Sequence, residues 1–267
     1  MNILVCVKQV PDTSEIKIDP VKNTLIRDGV QSILNPFDGY ALEAALLLKD
    51  KDPEVKVTVV SMGPPQAEPM LKDCIAVGAD SAYLVSDAKF GGSDTLATSY
   101  ILTNAIKKLE EEKGKFDLIL CGKQAIDGDT AQVGPEIAEQ LDVPQVTYAV
   151  ELEIADEKHA HVTRELDFGN QVIEAQMPCL VTFTKAHELR YPSIKNKLKA
   201  KKAEIGRLTV ESFPEIDLTK IGLKGSPTRV KKTFTPSQTK EGVIIQEKDP
   251  AVAVQRLIEA LEDAKLL

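Results

Sequence analysis

The sequence has no Cys-X-X-Cys pair and no iron–sulfur ligand spacing; its four cysteines, Cys6, Cys74, Cys121 and Cys179, lie far apart. A thiolate-held metal cluster is thereby excluded as an electron-carrying centre. Three of the four stand inside strand-like apolar runs, and all read as buried, reduced thiols. Histidine is equally scarce, with three in the chain. His159 and His161 share a face if they lie on a strand, but no third ligand stands nearby, so a solvent-facing hairpin is expected there rather than a metal site. No segment is apolar over the thickness of a bilayer, and the apolar run at residues 3–7 is too short for a signal peptide, so the chain is expected to be cytoplasmic. A formal charge of −8 argues against general affinity for nucleic acid or anionic membrane. Also lacking are the dinucleotide fingerprint G-x-G-x-x-G and the P-loop with its terminal Lys-Ser/Thr.

What is present is enough chain for a full core, 267 residues with an ordinary 28% charged and 43% hydrophobic content. Over the first half, strand and helix patterns alternate. Strands are expected at 3–7, 55–61, 82–85 and 118–121, and helices at 36–48, 67–77 and 95–113. Ala41, Ala44, Ala45 and Leu48 supply the apolar face of the first helix. Such alternation predicts an α/β protein, a three-layer α/β/α sandwich with a mostly parallel sheet. A small hairpin is expected from residues 16–18 and 24–27. Strand patterns at 146–154, 159–166, 171–174 and 179–183 read as an antiparallel extension of the sheet. Beyond residue 194 alternation fades, and prolines and glycines recur. A nucleotide-binding α/β domain is therefore expected over 1–194. Residues 195–267 read as a basic segment and a C-terminal arm, ending in a helix whose Val254, Leu257, Ile258 and Leu261 form a stripe that needs another surface.

The run FDLILCGKQAIDGDTAQVGPEIAEQL carries the strongest local signal: an apolar strand, a polar loop, then an amphipathic helix. It delivers Lys123, Gln124, Asp127, Asp129 and Thr130 beyond the carboxyl end of a strand, where open α/β sheets bind ligands. Gly122 and Gly128 are expected to permit unusual backbone conformations, so that N–H groups over 127–133 converge on a phosphate. In the bland alternative this is an ordinary connection in which Asp129 or Thr130 caps the helix. In another, Asp127 and Asp129 hold magnesium for a nucleotide hydrolase, although no P-loop lysine accompanies them.

Several motifs, in order along nearly the whole chain, resemble the small (β) subunit of electron transfer flavoproteins: VCVKQVPD, NPFDGYALEAAL, VTVVSMGPPQAEPMLKDCIAVGAD, GKQAIDGDTAQVG and VTRELDFGNQVIEAQMPCLVTFT. The last departs from the family signature at Phe168. The resemblance implies a heterodimer with a larger α subunit that carries its own FAD. By the family's motif, the β-subunit nucleotide would be lined by Cys6, Asn35, Pro36, Phe37, Asp38, Met62, Gly122, Lys123, Gln124, Ala125, Ile126, Asp127, Gly128, Asp129, Thr130, Ala131, Gln132 and Val133. That nucleotide is structural AMP in simple members. In electron-bifurcating members it is a second FAD that takes hydride from NADH. The segment Phe90, Gly91, Gly92, Ser93, Asp94 and Thr95 resembles the NAD-docking stretch of the bifurcating group, which favours FAD. Read by itself, it is a loop in which Ser93 or Asp94 caps a helix. LRYPSI and the basic run after it resemble the family's recognition loop, which implies that Tyr191, Ile194, Lys195 and Lys197 meet an acyl-CoA dehydrogenase, with ferredoxin or flavodoxin as the other acceptor. No catalytic side chain is implied; side chains orient rings and tune potentials.

Overall fold

The computed structural model describes residues 1–12, 32–232 and 242–267. The hairpin expected from residues 16–18 and 24–27 lies outside them. The chain divides into two compact units, Met1–Lys17 with Leu25–Lys231, and Ile18–Thr24 with Lys232–Leu267.

The first unit runs β1 (Asn2–Cys6), β2 (Gln9–Pro11), β3 (Ser32–Leu34), α1 (Pro36–Lys51), β4 (Lys56–Met62), α2 (Glu68–Val77), β5 (Ser81–Val85), α3 (Thr95–Lys113), β6 (Leu118–Gly122), α4 (Val133–Leu141), β7 (Gln145–Ile154), β8 (His159–Leu166), β9 (Gly169–Gln176), β10 (Cys179–Phe183), α5 (Ile194–Lys201), β11 (Gly206–Leu208) and α6 (Gly222–Gly225). Among the described residues, nine strands form one sheet in the order β11-β5-β4-β1-β6-β10-β7-β8-β9, while β2 and β3 pair separately. The period of two along β1 builds both cores. Ile3 and Val5 pack with Leu42, Leu46 and Leu71 of α1 and α2, and Leu4 and Cys6 with Ile101, Ile106 and Ile137 of α3 and α4. The result is the expected three-layer α/β/α arrangement with a mostly parallel sheet.

One expectation about the sheet needs correcting. Only β8 and β9 form the antiparallel extension; β10 lies between β6 and β7 and is parallel to both. Every residue of β10 is buried, as a strand covered on both faces requires. The outer strands instead alternate, with Ala160 and Val162 inward and His161 outward.

The body also runs on past residue 194. α5 packs on α2, β11 pairs with β5, and Leu208, Phe213 and Ile221 fill the core beside α3. Within the second unit, α7 (Pro250–Asp263) is capped by the Asp249 carboxylate, which accepts the Ala251 N–H at 2.9 Å. Its Val254, Leu257 and Ile258 are exposed. Among the described residues no helix is long and apolar enough to cross a membrane.

Candidate functional site

From β1 the chain passes outward through β4 to β5, then returns to place β6 on the other side of β1. The sheet therefore has its switch point between β1 and β6, whose carboxyl ends Cys6 and Cys121 lie in register. A cavity of about 360 Å³ opens there. Its floor is the strand ends Cys6, Met62 and Gly122, and α3 and α4 both aim their N-terminal turns into it, through Thr95, Thr98, Val133 and Gly134.

The loop after β6 is held from below. Asn35, fully buried, donates its Nδ2 to the Gln124 carbonyl at 2.8 Å and accepts the Ile126 N–H on Oδ1 at 3.2 Å. Lys8 Nζ pairs with Asp127 Oδ1 at 2.7 Å, and Gln124 Nε2 donates to Asp129 Oδ1. The two aspartates weighed as magnesium ligands are thus engaged by a lysine and an amide. Among the described residues, no group of three or more His, Cys, Asp or Glu could hold a metal ion.

The glycine expectation needs revising. Neither Gly122 nor Gly128 has a positive φ; the left-handed residues are Asp129 and Ala131, both at φ 53°. Gly128 has open space where a Cβ would stand, whereas at Gly122 a Cβ would lie 2.3 Å from Asp38 Oδ1 and 2.7 Å from the Asp38 nitrogen. Gly122 is needed for close approach to α1, not for its torsion angle. Nor does Asp129 or Thr130 cap α4: the cap position is Gln132, with no side-chain hydrogen bond. The N–H groups of Thr130, Ala131, Gln132, Val133 and Gly134 consequently lack hydrogen-bond partners among the described residues. A row of N–H groups at alternating backbone torsions, opening a helix, forms an anion cradle.

Asp38 lies beneath this loop, 6% exposed. Its carboxylate accepts the Lys8 N–H at 2.7 Å and the Gly122 N–H at 3.1 Å. Burial outweighs these bonds and pushes its pKa up to about 7. The neighbouring Cys121 thiol is raised as well, by its hydrogen bond with Cys6 and by burial, so it is no nucleophile. All four cysteines are free and buried.

The loop after β5 divides its residues between two cavities. Ser93, Asp94 and Thr95 face the first, while Phe90, Gly91, Gly92 and Ser93 border a second of about 690 Å³, which shares Met62 with the first. Phe90 is buried, its ring 6.4 Å from that of Phe213. Asp94, not Ser93, caps α3, with Oδ1 accepting the Ala97 N–H at 3.0 Å. Its Oδ2 accepts both the N–H and the hydroxyl of Thr228, at 2.9 and 2.7 Å, and its own N–H donates to Ser226 Oγ at 2.8 Å. Ser93 Oγ donates to the Phe90 carbonyl and accepts the Gly222 N–H. Thr95 Oγ1 stands 3.2 Å from both Gln132 Oε1 and Glu136 Oε1, linking the two helix starts across the cavity mouth. Burial raises the Glu136 pKa.

Of the residues expected at the nucleotide, Pro36, Phe37, Ile126, Asp127 and Asp129 are not on the cavity wall, while Lys123, Gln124, Ala125, Gly128, Thr130, Ala131, Gln132 and Val133 are. Phe37 packs edge-on against Tyr40, and Lys123 Nζ stands 5.5 Å from the rings of both Phe37 and Tyr148. The wall also includes Lys8, Thr98, Leu102 and Gly134, which sequence reasoning passed over. Thr98 and Leu102 recur at helical spacing from Asp94, the signal that could have placed them.

On another surface, Tyr191 and Ile194 are 97% and 80% exposed, and Lys195 and Lys197 follow on α5. Arg190 holds the segment in place through Glu43, 2.8 Å from its Nη2, and Asp50, at 2.7 Å.

Residues 22–212 match the electron transfer flavoprotein domain. The chain is 53% identical to the electron transfer flavoprotein subunit beta of Megasphaera elsdenii over the full length of both. It is 50% identical to the caffeyl-CoA reductase-Etf complex subunit CarD of Acetobacterium woodii, over 92% of each chain. It is 45% identical to protein FixA of Azorhizobium caulinodans, over 90% of this chain and 86% of that one.

Proposed function

The chain belongs to the electron transfer flavoprotein family as a β subunit, and from that premise we propose that its switch-point cavity holds FAD and the adjoining cavity docks NADH. The observation that carries this reading is the convergence of two helix N-termini and a row of N–H groups without partners among the described residues on a cavity that shares Met62 and Ser93 with a second one. Bound FAD supplies the ability to accept hydride as an electron pair and to release electrons singly. The protein's part is to bind and orient. The N–H groups of residues 130–134, at the start of α4, receive the phosphates. The backbone at Cys6 and Met62, ending parallel strands, receives a ring edge. Asn35 and Lys8 hold the loop, and no side chain moves a proton in the transfer.

The acceptors would be the FAD of an α subunit and a ferredoxin or flavodoxin, one of higher and one of lower potential. Ile194 and Tyr191 form the anchor for an acyl-CoA dehydrogenase, with Lys195 and Lys197 hastening encounter. The name of the relative from Acetobacterium woodii joins such a subunit to a reductase of a CoA thioester, in keeping with that partner.

A first cavity of only about 360 Å³ favours a second reading, in which AMP fills it and the sole flavin belongs to the α subunit. Nucleotide content of the native heterodimer decides. Two FAD and no AMP per complex is the expected result; one FAD with one AMP would overturn the FAD and NADH assignments and leave a simple carrier.

A further inference from the structure

We propose that Asp38 is the positioning residue of the switch-point cavity, its ionised carboxylate tying the loop after β1 to the end of β6, so that taking up a proton loosens the tie and weakens nucleotide binding. The proposal rests on the reading that the cavity binds a nucleotide.

The geometry is that of a clamp. Asp38 lies in the first turn of α1, and its two oxygens are divided between two strands: Oδ2 accepts the Lys8 N–H, two residues past the end of β1, and Oδ1 accepts the N–H of Gly122, the last residue of β6. Those strands flank the switch point. From Lys8 the tie runs on to the phosphate-facing loop, since Lys8 Nζ pairs with Asp127. Gly122 admits no Cβ because the carboxylate and the backbone at Phe37 and Asp38 occupy that space.

An ionised carboxylate is purely an acceptor and serves both N–H groups. Proton uptake from solvent turns one oxygen into a hydroxyl donor facing an N–H donor, which leaves that N–H without its acceptor. The groups around Asp38 leave the balance near neutrality. From the loop after β1 comes Lys8, whose ammonium is shared with Asp127; from β1 comes Cys6, from β6 Cys121 and from α2 Cys74. Burial raises the Cys74 thiol, and the hydrogen bond with Cys6 together with burial raises that of Cys121, so both stay neutral and add no like charge beside the carboxylate. Asn35, at the cap position of α1, and the N-terminal end of that helix both favour the anion. Burial works the other way and brings the titration to about pH 7.

The test uses the full-length chain with its α subunit, stripped of nucleotide and titrated with FAD between pH 6 and 8.5, as wild type and as Asp38→Asn. Wild-type affinity is expected to fall about tenfold toward pH 6, the effect of one linked proton. Asp38→Asn, whose amide presents a donor to one of the two N–H groups, is expected to bind weakly with a flat pH profile. Amide exchange at Lys8 and Gly122, measured on nucleotide-free wild type and corrected for intrinsic rates, is expected to lose protection over the same range. This measurement does not depend on the variant folding. A variant that keeps the wild-type pH slope, or protection at the two amides that does not change with pH, would overturn the role of Asp38. Wild type that binds neither FAD nor AMP at any pH would instead overturn the functional reading, and with it the nucleotide half of the proposal, even if amide protection shifts.

Discussion

Two loops leave the carboxyl edge of the sheet, one from β6 next to β1 and one from β5 two strands away on the other side, and lead into helices that start at the same cavity, yet they are held in opposite ways. The loop after β6 is tied from beneath, by Asn35, Asp38 and Lys8, and its later N–H groups lack partners among the described residues. The loop after β5 is bound from outside by the segment at 222–228, and its polar side chains are already engaged: Ser93 with Gly222, Asp94 with Ala97 and Thr228. A site for an anion needs donors that the fold itself has not consumed. By that criterion the first loop is the binding element, and the second is a wall whose shape is set by its strap.

The largest expected effect comes from filling the contact beneath the first loop. Gly122→Ala puts a methyl group against backbone of α1 and is expected to cost at least about 3 kcal/mol in urea denaturation, with loss of nucleotide. Gly128→Ala, which meets open space at an ordinary φ, is expected to stay within about 0.5 kcal/mol. Equal costs at the two positions would erase the distinction drawn between them. Next comes Asn35→Ala, which strands two loop backbone groups and is expected to destabilise by about 2–3 kcal/mol and lower FAD retention. On the second loop, Asp94→Ala removes a helix cap and the grip on Thr228. A cost of about 1–2 kcal/mol is expected, with a larger change in NADH affinity than in FAD content. If FAD content falls as far as in Asn35→Ala, the two loops are not separate in function.

A further contrast between the two loops is a difference in sign with pH. Asp38 has its pKa raised from 3.8 to about 7 by burial, so the folded state holds a proton that the unfolded chain has lost. Its contribution to stability is full below about pH 4, declines as pH rises to about 7, and is level above. At Asp94 burial works upward, but the Ala97 and Thr228 bonds outweigh it and hold the pKa below 3.8. Its stabilisation is present above that value and lost as pH falls through the folded pKa. Thermal unfolding across pH, compared among wild type, Asp38→Asn and Asp94→Ala, should show the slope between pH 4 and 7 altered only by the former substitution. The acid limb should change only in the latter.

Periodicity made most of the fold legible. The helix over Thr95–Lys113 and the strands at His159–Leu166 and Cys179–Phe183 coincide with their patterns, because each carries a local rule: a cap and a 3.6-residue stripe, or a short β-branched run. The partner of a strand carries no such rule. β10 was therefore readable as a strand but not as a parallel insertion, and β11, only three residues long, had too little pattern to be found. At the site, the loop after β6 stood out by composition, whereas the reason for Gly122 lay in α1, 84 residues earlier in the chain.

By itself the sequence determined the layered α/β architecture, the family and the stretch of chain that meets the cavity, because apolar period, caps and motif order are local properties of a chain. Tertiary structure alone decided which N–H groups lack partners among the described residues and that Asp38 is buried between two strand ends. It also decided that the segment at 222–228 binds the loop after β5. Hydrogen-bond satisfaction and burial depend on what distant segments bring to the same point, and no local pattern records that.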